Sequence, residues 1–294
     1  MKNNKIKGYR QFYINGGWVD PISGDSIDVV NPATEEVVAS IGAGTVEDVA
    51  RAVASARKAF NSFSETSKKE RVELLTEVRN VYKKRFNDIA EAIRQEMGAP
   101  GHLAFGAQTT VGLGHLKTAI RVLEQFEFEQ QREKFLIRYE PIGVCGLITP
   151  WNWPINQIVS KIAPAIASGC TTLLKPSELS PISAHVIAEV IDEAGVPAGV
   201  FNLVDGFGPI VGEAMSAHPD IDMMSFTGST RGGVAVAKGS AKKARGARRR
   251  SGRRAIVARI EPACVELSEH SSPATTPCGD CSASSAVMSV VSVA

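Results

Sequence analysis

The sequence has few cysteines and no long apolar run. Its five cysteines in 294 residues are an odd and sparse number, which argues against a disulfide framework and indicates reduced thiols. No run of about 18 consecutive apolar residues is present, so the sequence predicts no membrane-spanning helix. The basic start, MKNNKIKGYRQFY, is not followed by the apolar stretch of a secretion signal. We therefore expect a cytoplasmic protein.

The composition, with 44% apolar and 22% charged residues, is typical of a globular protein. The net charge of +2 conceals an uneven distribution. Residues 238–294 contain ten Lys and Arg against four Asp and Glu, a balance of +6, whereas residues 1–237 contain 23 basic and 27 acidic residues, a balance of −4. This asymmetry indicates that the last part of the chain has a character of its own.

The first part of the chain combines short β-type runs with longer helical patterns. Between residues 11 and 41, apolar runs alternate with Asn-Gly, Asp-Pro and Asn-Pro, which predicts an antiparallel β-meander. Three helical regions follow, at 45–63, at 67–98 with a break near Phe86–Asp88, and at 102–126. Thr45 is the expected N-cap of the first of these helices.

From residue 135 onward, short apolar strands alternate with helical patterns, and Gly or Pro stands at most junctions. This alternation predicts a doubly wound parallel sheet with helices on both faces. Ligands of such sheets bind beyond the carboxyl ends of the strands, so those ends are the expected functional region. The predicted strands are 142–148, 171–175, 200–204 and 222–226, and the helices are 153–167, 181–194, 208–217 and one starting near 229.

The first strand is followed by TPWNWPIN, a loop with two Trp residues and Asn152. The Trp rings are expected to fill a gap under the loop. The Asn152 amide could donate a hydrogen bond to an oxyanion that develops during acyl transfer. Judged on spacing alone, a structural Asx turn is the favoured alternative.

The second strand is followed by LLKPSELSP, where Pro176 ends the strand and Lys175 and Glu178 lie close together. A carboxylate can accept hydrogen bonds from both hydroxyls of a ribose, and an ammonium can donate to them. The alternative is an exposed surface ion pair of little consequence.

The fourth strand is followed by FTGSTRGG. Gly228 is expected to permit a tight turn and Gly233 to let the next helix approach the sheet. Ser229, Thr230 and the free N–H groups of the first helical turn would then face a phosphate. The spacing matches neither the usual dinucleotide fingerprint nor a P-loop, and glycines that serve only sterics are the alternative.

Taken in order, the segments ITPWNWPIN, GCTTLLKPSELSP, AGVPAGVFNLVDG and DIDMMSFTGSTRGG resemble the NAD(P)-dependent aldehyde dehydrogenase superfamily. The resemblance runs from about residue 10 to about residue 237 and covers the N-terminal half of that family's pattern. It implies a Rossmann-like α/β NAD-binding domain over residues 1–237. The strands near 134–148 belong either to this domain or to the oligomerisation sheet of the full-length family.

The resemblance also implies residue roles in oxidising an aldehyde to a carboxylic acid. Asn152 matches the amide of the oxyanion hole. NAD is expected rather than NADP, because an ionised Glu178 beside the ribose would repel a 2′-phosphate. The residues that match the cofactor cleft are Ile148, Thr149, Pro150, Trp151, Lys175, Pro176, Ser177, Glu178, Gly208, Phe226, Thr227, Gly228, Ser229, Thr230 and Gly233.

Beyond residue 237 the resemblance ends. The family pattern continues with a Glu-Leu-Gly-Gly-Lys segment that carries the catalytic Glu and a Gly-Gln-x-Cys segment that carries the nucleophile. This chain reads RRRSGRRAIV and CGDCSASSAV near those places, so neither role is assigned. We expect an incomplete fold with a disordered basic tail at 238–294, impaired or no turnover, and no family homo-oligomer, since the oligomerisation arm is missing.

Three alternatives concern the tail. A frameshifted or truncated gene would yield a nucleotide-binding remnant without turnover. The basic run 238–254 could bind nucleic acid, but no aromatic residue interleaves it for base stacking. A zinc site is disfavoured because a single Cys-x-x-Cys with irregular partners is a weak pattern; its ligands would be Cys264, His270, Cys278 and Cys281.

Overall fold

The computed structural model describes residues 7–246 and 257–258. Helices and strands alternate after residue 143, as the sequence pattern predicts. The helices are α1 Val46–Phe63, α2 Lys68–Lys84, α3 Phe86–Met97, α4 Thr109–Gln125, α5 Pro154–Ala167, α6 Ile182–Glu193, α7 Glu213–Ala217 and α8 Thr230–Gly246. The strands are β1 Lys7–Tyr9, β2 Phe12–Ile14, β3 Gly17–Val19, β4 Ser26–Val30, β5 Val37–Gly42, β6 Glu129–Arg132, β7 Phe135–Arg138, β8 Val144–Ile148, β9 Thr171–Lys175, β10 Phe201–Leu203, β11 Met223–Phe226 and β12 Val257–Ala258.

The central sheet has seven strands in the order β12-β11-β8-β9-β10-β2-β3. Strands β8 to β12 are parallel to one another, whereas β2 runs antiparallel to β10 and β3 runs antiparallel to β2. The chain passes from β8 through β9 to β10, and then returns to the other side of β8 to form β11. The order of strands therefore reverses between β8 and β11, and this switch point is where doubly wound sheets bind ligands. The predicted doubly wound parallel sheet is confirmed.

Helices cover both faces of this sheet. Helices α5 and α6 pack on one face beneath an outer layer of α2, α3 and α4, and α1, α7 and α8 lie on the other side. The buried apolar residues accordingly form two clusters, one on each side of the strands. Strands β8 and β9 are buried along their whole length, which explains their continuous apolar runs. None of the helices in residues 7–246 combines the length and apolar character that crossing a bilayer requires.

The strands predicted as one N-terminal meander divide between two sheets. Asn15 and Gly16 both have positive φ and join β2 to β3 in the tight two-residue hairpin that Asn-Gly favours. This hairpin extends the central sheet, because β2 pairs with β10 and buries all three of its side chains. Strands β4 and β5 form a separate sheet with β1. Local alternation predicts such strands but does not say which sheet each one joins.

The helical boundaries follow local chemistry. Thr45 and Asp48 form a capping box at the start of α1, which confirms the predicted N-cap. The predicted break in the second helical region falls at Arg85, whose guanidinium contacts Asp88 and Glu189. The third region begins with a π-helical stretch, His102–Gln108, before α4.

Two features differ from the sequence prediction: the end of α8, and the strands between residues 134 and 148. Helix α8 continues to Gly246, past the expected boundary at residue 237, because its Ala, Lys and Arg residues favour helix even without an apolar face. Between residues 134 and 148, β7 pairs with β6 in a hairpin that no other strand joins within the described part of the chain, whereas β8 lies in the central sheet. The role of that hairpin in oligomerisation stays a prediction.

Candidate functional site

The carboxyl ends of β8, β9 and β11 meet at one edge of the central sheet. Ile148 at the end of β8 is in register with Lys175 on β9 and with Phe226 on β11. The backbone N–H of Thr149 donates to the carbonyl of Lys175 over 3.2 Å, and that of Thr227 donates to Ile148 over 3.1 Å. The three segments selected from the sequence are therefore neighbours at the switch point.

The end of β9 holds a buried cation. Lys175 is only 2% exposed, and its ammonium donates to the carbonyl of Pro176 over 2.7 Å and to Glu178 Oε2 over 3.1 Å. The Glu178 side chain is 31% exposed. This is not the exposed surface pair that the sequence left open, because the cation is fixed inside the protein while the carboxylate faces outward. Its free oxygen can accept hydrogen bonds from a ligand.

The turn at Pro176–Ser180 is closed by local contacts. Pro176 is buried and Ser177 half-buried, and Ser177 Oγ accepts the N–H of Leu179 over 3.2 Å. The turn therefore holds Glu178 beside Lys175 and restricts its position.

The end of β8 leads into an exposed loop. Thr149 is 3% exposed, and its buried hydroxyl has no hydrogen-bond partner among the described residues. Pro150 is half-buried, and Asn152 is exposed. Trp151 is 55% exposed, so the interpretation that both Trp rings fill a gap is wrong for this residue.

Asn152 lies just before α5. The Asx turn favoured from its spacing cannot form in its usual way, because the residue two positions on is Pro154, which has no N–H to donate. The Asn152 amide is thus at the surface on the same loop as the end of β8, in keeping with a ligand-facing role.

The end of β11 leads into the N-terminus of α8. Ser229 precedes the helix, and its hydroxyl accepts the N–H of Gly232 over 3.2 Å, while its carbonyl accepts that of Gly233 over 2.9 Å. Ser229 is therefore the N-cap of α8. The N–H groups of the first turn, beginning at Thr230, carry the positive end of the helix dipole, which favours an anion.

The glycines of this turn serve close packing. A Cβ at Gly228 or at Gly232 would lie 2.7 Å from Cζ of Phe226, which is closer than carbon atoms can approach. Phe226 itself is 8% exposed. Glycine at 228 therefore lets the turn pass over the Phe226 ring, and the steric alternative raised from the sequence applies to this position. The ring in turn supports the start of α8.

One residue of this edge, Gly212, was not predicted from the sequence. After β10 comes a π-helical stretch, Gly208–Gly212, in which the predicted residue Gly208 is exposed while Val211 and Gly212 are buried. At its other end, a Cβ on Gly212 would lie 3.6 Å from Ile148 Cδ1 and 4.0 Å from the Lys175 side chain. Gly212 thus borders two of the predicted site residues. The only signal for it was a second glycine in the segment GPIVG after the strand.

The fold is that of a doubly wound α/β protein, and the strand ends described above lie at its switch point, the place where such sheets bind ligands. The family model described as the aldehyde dehydrogenase family matches residues 18–251. The chain belongs to the aldehyde dehydrogenase family. The match extends past residue 237, where the resemblance read from the sequence was placed to end.

Several curated proteins are similar to this chain. The 3-succinoylsemialdehyde-pyridine dehydrogenase of a Pseudomonas species is 51% identical over 237 residues, which are 80% of this chain and 50% of that protein. The chain therefore spans about half the length of the curated relatives it matches.

Two solved structures of aldehyde dehydrogenases are likewise similar to most of this chain, which matches about half of each solved chain. Aldehyde dehydrogenase C from Pseudomonas syringae, a cysteine-to-alanine mutant in complex with NAD⁺ and octanal, has a TM-score of 0.81 and 47% identity over 86% of this chain and 50% of that one. An aldehyde dehydrogenase from Bacillus cereus in complex with NAD⁺ has a TM-score of 0.78 and 32% identity over 85% of this chain and 50% of that one.

Proposed function

We propose that the edge formed by β8, β9 and β11 binds NAD and serves the oxidation of an aldehyde to a carboxylic acid. The observation that carries this proposal is the pairing of buried Lys175 with outward-facing Glu178, next to a strand end that leads into a capped helix N-terminus. The pair suits the two hydroxyls of a ribose, and the N-terminus of α8 suits a pyrophosphate. Similar proteins solved with NAD⁺ support the choice of cofactor.

The residues of this edge fit the cofactor chemically. The N–H groups at the start of α8 offer donors for an anion. The buried Thr149 hydroxyl, unpartnered within the described residues, offers a further polar group beside β9. NAD supplies a hydride acceptor when it is bound. The protein's part is to hold the dinucleotide by the ribose and phosphates and to keep Asn152 near the reacting carbonyl.

The same geometry favours NAD over NADP. Lys175 already donates two hydrogen bonds within the protein, so its charge is largely committed to Pro176 and Glu178. A 2′-phosphate would instead meet the carboxylate of Glu178 and be repelled. The preference for NAD over NADP therefore comes from repulsion between the Glu178 carboxylate and the 2′-phosphate of NADP.

Asn152 is proposed as a donor to the oxyanion, but the described residues offer no nucleophile near it. Cys145 is the second residue of β8 and Cys170 precedes β9, so both lie near the amino ends of these strands, opposite the proposed site. Both thiols are also buried. Cys264, Cys278, Cys281 and Glu266 lie outside the described residues. We propose that the chain binds nucleotide and turns aldehydes over poorly or not at all.

Calorimetric titration of the full-length chain with NAD tests the binding proposal. Replacing Lys175 with Met removes the ammonium that holds Glu178 and is expected to weaken NAD binding roughly tenfold or more, the usual effect of losing a charged hydrogen bond. Lys69→Met is the matched control, because Lys69 is exposed and pairs only loosely with Glu73. Equal NAD affinity in the wild type and the Lys175 variant would overturn the proposal.

Formation of NADH with a panel of aldehydes tests turnover separately. The panel includes octanal and the pyridine semialdehyde named for similar proteins. No turnover is expected above background. Turnover that is lost on replacing Cys264, Cys278 or Cys281 singly with Ser would show that this cysteine is the nucleophile, and would contradict the proposed impairment while leaving the binding proposal intact.

A further inference from the structure

A buried histidine–aspartate pair lies just beyond the carboxyl end of β10. Asp205 follows this strand by two residues and is fully buried, and His185 on α6 is 1% exposed. The two side chains are joined by a contact of 2.6 Å between His185 Nε2 and Asp205 Oδ2. Because a carboxylate accepts hydrogen bonds and does not donate them, the imidazole carries a hydrogen on Nε2 and donates it to Asp205.

Two aromatic rings from the N-terminal strands hold this imidazole. Trp18 on β3 stacks against His185 with the ring planes 10° apart and the ring centres 5.6 Å apart. Tyr9 on β1 packs against the same imidazole, with a distance of 5.1 Å between the ring centres. Contacts from two separate strands restrict the rotation of the ring. The Nε2 donor of His185 is therefore kept pointing at Asp205.

The carboxylate of Asp205 depends on this one donor. Its other oxygen, Oδ1, is buried and has no hydrogen-bond partner within residues 7–246 and 257–258. A buried carboxylate without a hydrogen-bond donor is costly. The hydrogen bond from His185 therefore fixes the side chain of Asp205, and with it the start of the segment that leaves the sheet after β10.

The backbone turns sharply directly after Asp205. The carbonyl of Asp205 accepts the N–H of Gly44 over 3.0 Å. The next residue, Gly206, has a φ of 143°, which only glycine adopts readily. A Cβ on Gly206 would also lie 2.5 Å from Val211 Cγ2. The position of Asp205 therefore determines the direction in which the following residues, the Gly206–Gly212 segment, leave the sheet.

The Gly206–Gly212 segment borders the proposed NAD site. It contains Gly208, one of the residues assigned to the cofactor, and it ends at Gly212, which lies beside Ile148 and Lys175. Three of its seven residues are glycines, and glycine loses more backbone entropy on ordering than any other residue. Such a segment needs an anchor from outside if it is to hold one conformation, and the Asp205–His185 hydrogen bond lies at its start.

We propose that His185 and Asp205 are positioning residues for NAD, because their hydrogen bond orders the Gly206–Gly212 segment before the nucleotide binds. This inference rests on the proposed function. Both residues are buried, so they act through the segment and not by contact with the cofactor. The physical effect is preorganisation: a binding surface that is already ordered in the free protein gives a lower apparent Kd.

Amide hydrogen exchange of the full-length chain without nucleotide tests the ordering. Asp205→Ala is expected to speed exchange across residues 206–212 roughly tenfold, the usual effect of losing a hydrogen bond to a charged group. His185→Phe keeps a ring against Trp18 but removes the donor, and it is expected to have the same effect. Asp205→Asn still offers an oxygen to His185 Nε2 and is expected to restore slow exchange. Wild-type exchange rates in both Asp205→Ala and His185→Phe would overturn the proposal.

Calorimetric titration with NAD tests the consequence for binding. Asp205→Ala and His185→Phe are expected to raise the Kd roughly tenfold, as for a segment that is ordered in about a tenth of the molecules. Asp205→Asn is expected to bind almost as tightly as the wild type. If the single variants do not fold, His185→Phe combined with Asp205→Asn removes the hydrogen bond without leaving a buried carboxylate unpaired, and the same rise in Kd is expected.

Tyr82→Phe is the control for general loss of stability. It removes another buried hydrogen bond, from Tyr82 Oη to the carbonyl of Thr109 over 2.7 Å, in the outer helical layer. Its NAD affinity is expected to equal that of the wild type, and an equal rise in Kd would show that lost stability, not lost positioning, weakens binding. No binding by the wild type would refute the proposed function itself. Wild-type binding with an unchanged Kd in Asp205→Ala and His185→Phe would refute the positioning role alone.

Discussion

At the residue scale, Lys175 and Glu178 differ in burial and therefore in the role proposed for each. Lys175 is enclosed and serves as a fixed cation, while Glu178 keeps one face toward solvent. The ion pair therefore orients the carboxylate at the edge of the sheet, where it would otherwise move with the freedom of a surface side chain. Recognition of a ribose needs such a fixed acceptor.

Replacing Glu178 with Gln is expected to shift nucleotide preference toward NADP. The amide keeps the shape of the side chain but removes the charge that would repel a 2′-phosphate, a difference on the order of 1–2 kcal/mol, or roughly tenfold in the ratio of the two affinities. Competition between NAD and NADP measured by calorimetry gives this ratio. Glu193→Gln, remote from the strand ends and half-exposed, serves as the control. An unchanged ratio in the Glu178 variant would contradict the proposed repulsion.

A second residue-scale effect concerns Glu96, which is buried beneath α6. Its Oε2 accepts the N–H of Ser183 over 3.1 Å, and its other oxygen has no partner among the described residues. Burial raises the pKa of Glu96 from 4.5 to about 7. The folded chain therefore holds this proton more tightly than the unfolded chain does. The resulting stabilisation is complete below about pH 4.5 and is lost as the pH rises through about 7.

Glu96→Gln is expected to flatten this pH dependence. The amide oxygen can still accept from Ser183, but no charge has to be buried at high pH. The variant should gain stability relative to the wild type between pH 5 and pH 8, by about 3 kcal/mol at most for a shift of this size. Urea unfolding at both pH values provides the measurement, with Glu73→Gln on the exposed face of α2 as the control. A wild type and a variant with parallel pH profiles would disprove the assignment.

At the element scale, the proposed site makes α8 a link between helix stability and ligand binding through one side chain, Ser229. Ser229 is the N-cap of the helix, and the same turn would face the pyrophosphate. The capping requirement and the binding requirement differ in one respect. Both Ser and Asp can cap a helix, but only an uncharged side chain is compatible with a bound phosphate.

Substitutions at Ser229 are expected to separate these two roles. Ser229→Ala should cost about 1 kcal/mol of stability, because the N–H of Gly232 loses its acceptor. Ser229→Asp should keep the cap and the stability but weaken NAD binding roughly tenfold or more through repulsion of the phosphates. Chemical denaturation and calorimetry measure the two effects.

The control for the two Ser229 variants is Ser67→Asp, at the N-cap of α2. It introduces the same charge at a helix that does not border the cleft, so NAD affinity should not change. If Ser229→Asp and the wild type bound NAD equally well, the placement of the pyrophosphate at α8 would be wrong.

At the scale of the whole molecule, the central sheet separates two apolar clusters, and the proposed NAD site lies at the ends of strands that border both clusters. Helices on either face hold β8, β9 and β11 in register, so the strand ends that carry the proposed site depend on both clusters. A ligand at this edge should therefore stabilise the folded chain as a whole.

NAD is expected to stabilise the folded state by mass action. At a concentration 100 times its Kd, the free energy of unfolding should rise by about 2.7 kcal/mol. Thermal unfolding of the full-length chain with and without NAD measures the shift, and Ser229→Asp should show much less of it at the same NAD concentration. A melting temperature that does not respond to NAD in the wild type would argue against specific binding to the folded state.

Much of the fold from β8 to the start of α8 follows from local pattern. Apolar runs of strand length, with Gly and Pro at their ends, fix the strands because each must be buried under helices on both faces. The same reasoning placed Lys175 and Glu178 at a strand end. The assignment of β2 to the central sheet did not follow from pattern, because pairing with β10 joins residues far apart in the chain.

The sequence by itself determined the order of strands and helices, the cap at Thr45, the family and the strand ends to inspect, because propensity, capping and apolar periodicity act over a few residues. The tertiary structure alone decided that Lys175 is buried, that Trp151 is exposed, and that Gly212 borders Ile148. Those facts depend on which distant segments pack together. Packing is set by the burial of the whole chain, and no short stretch of sequence records it.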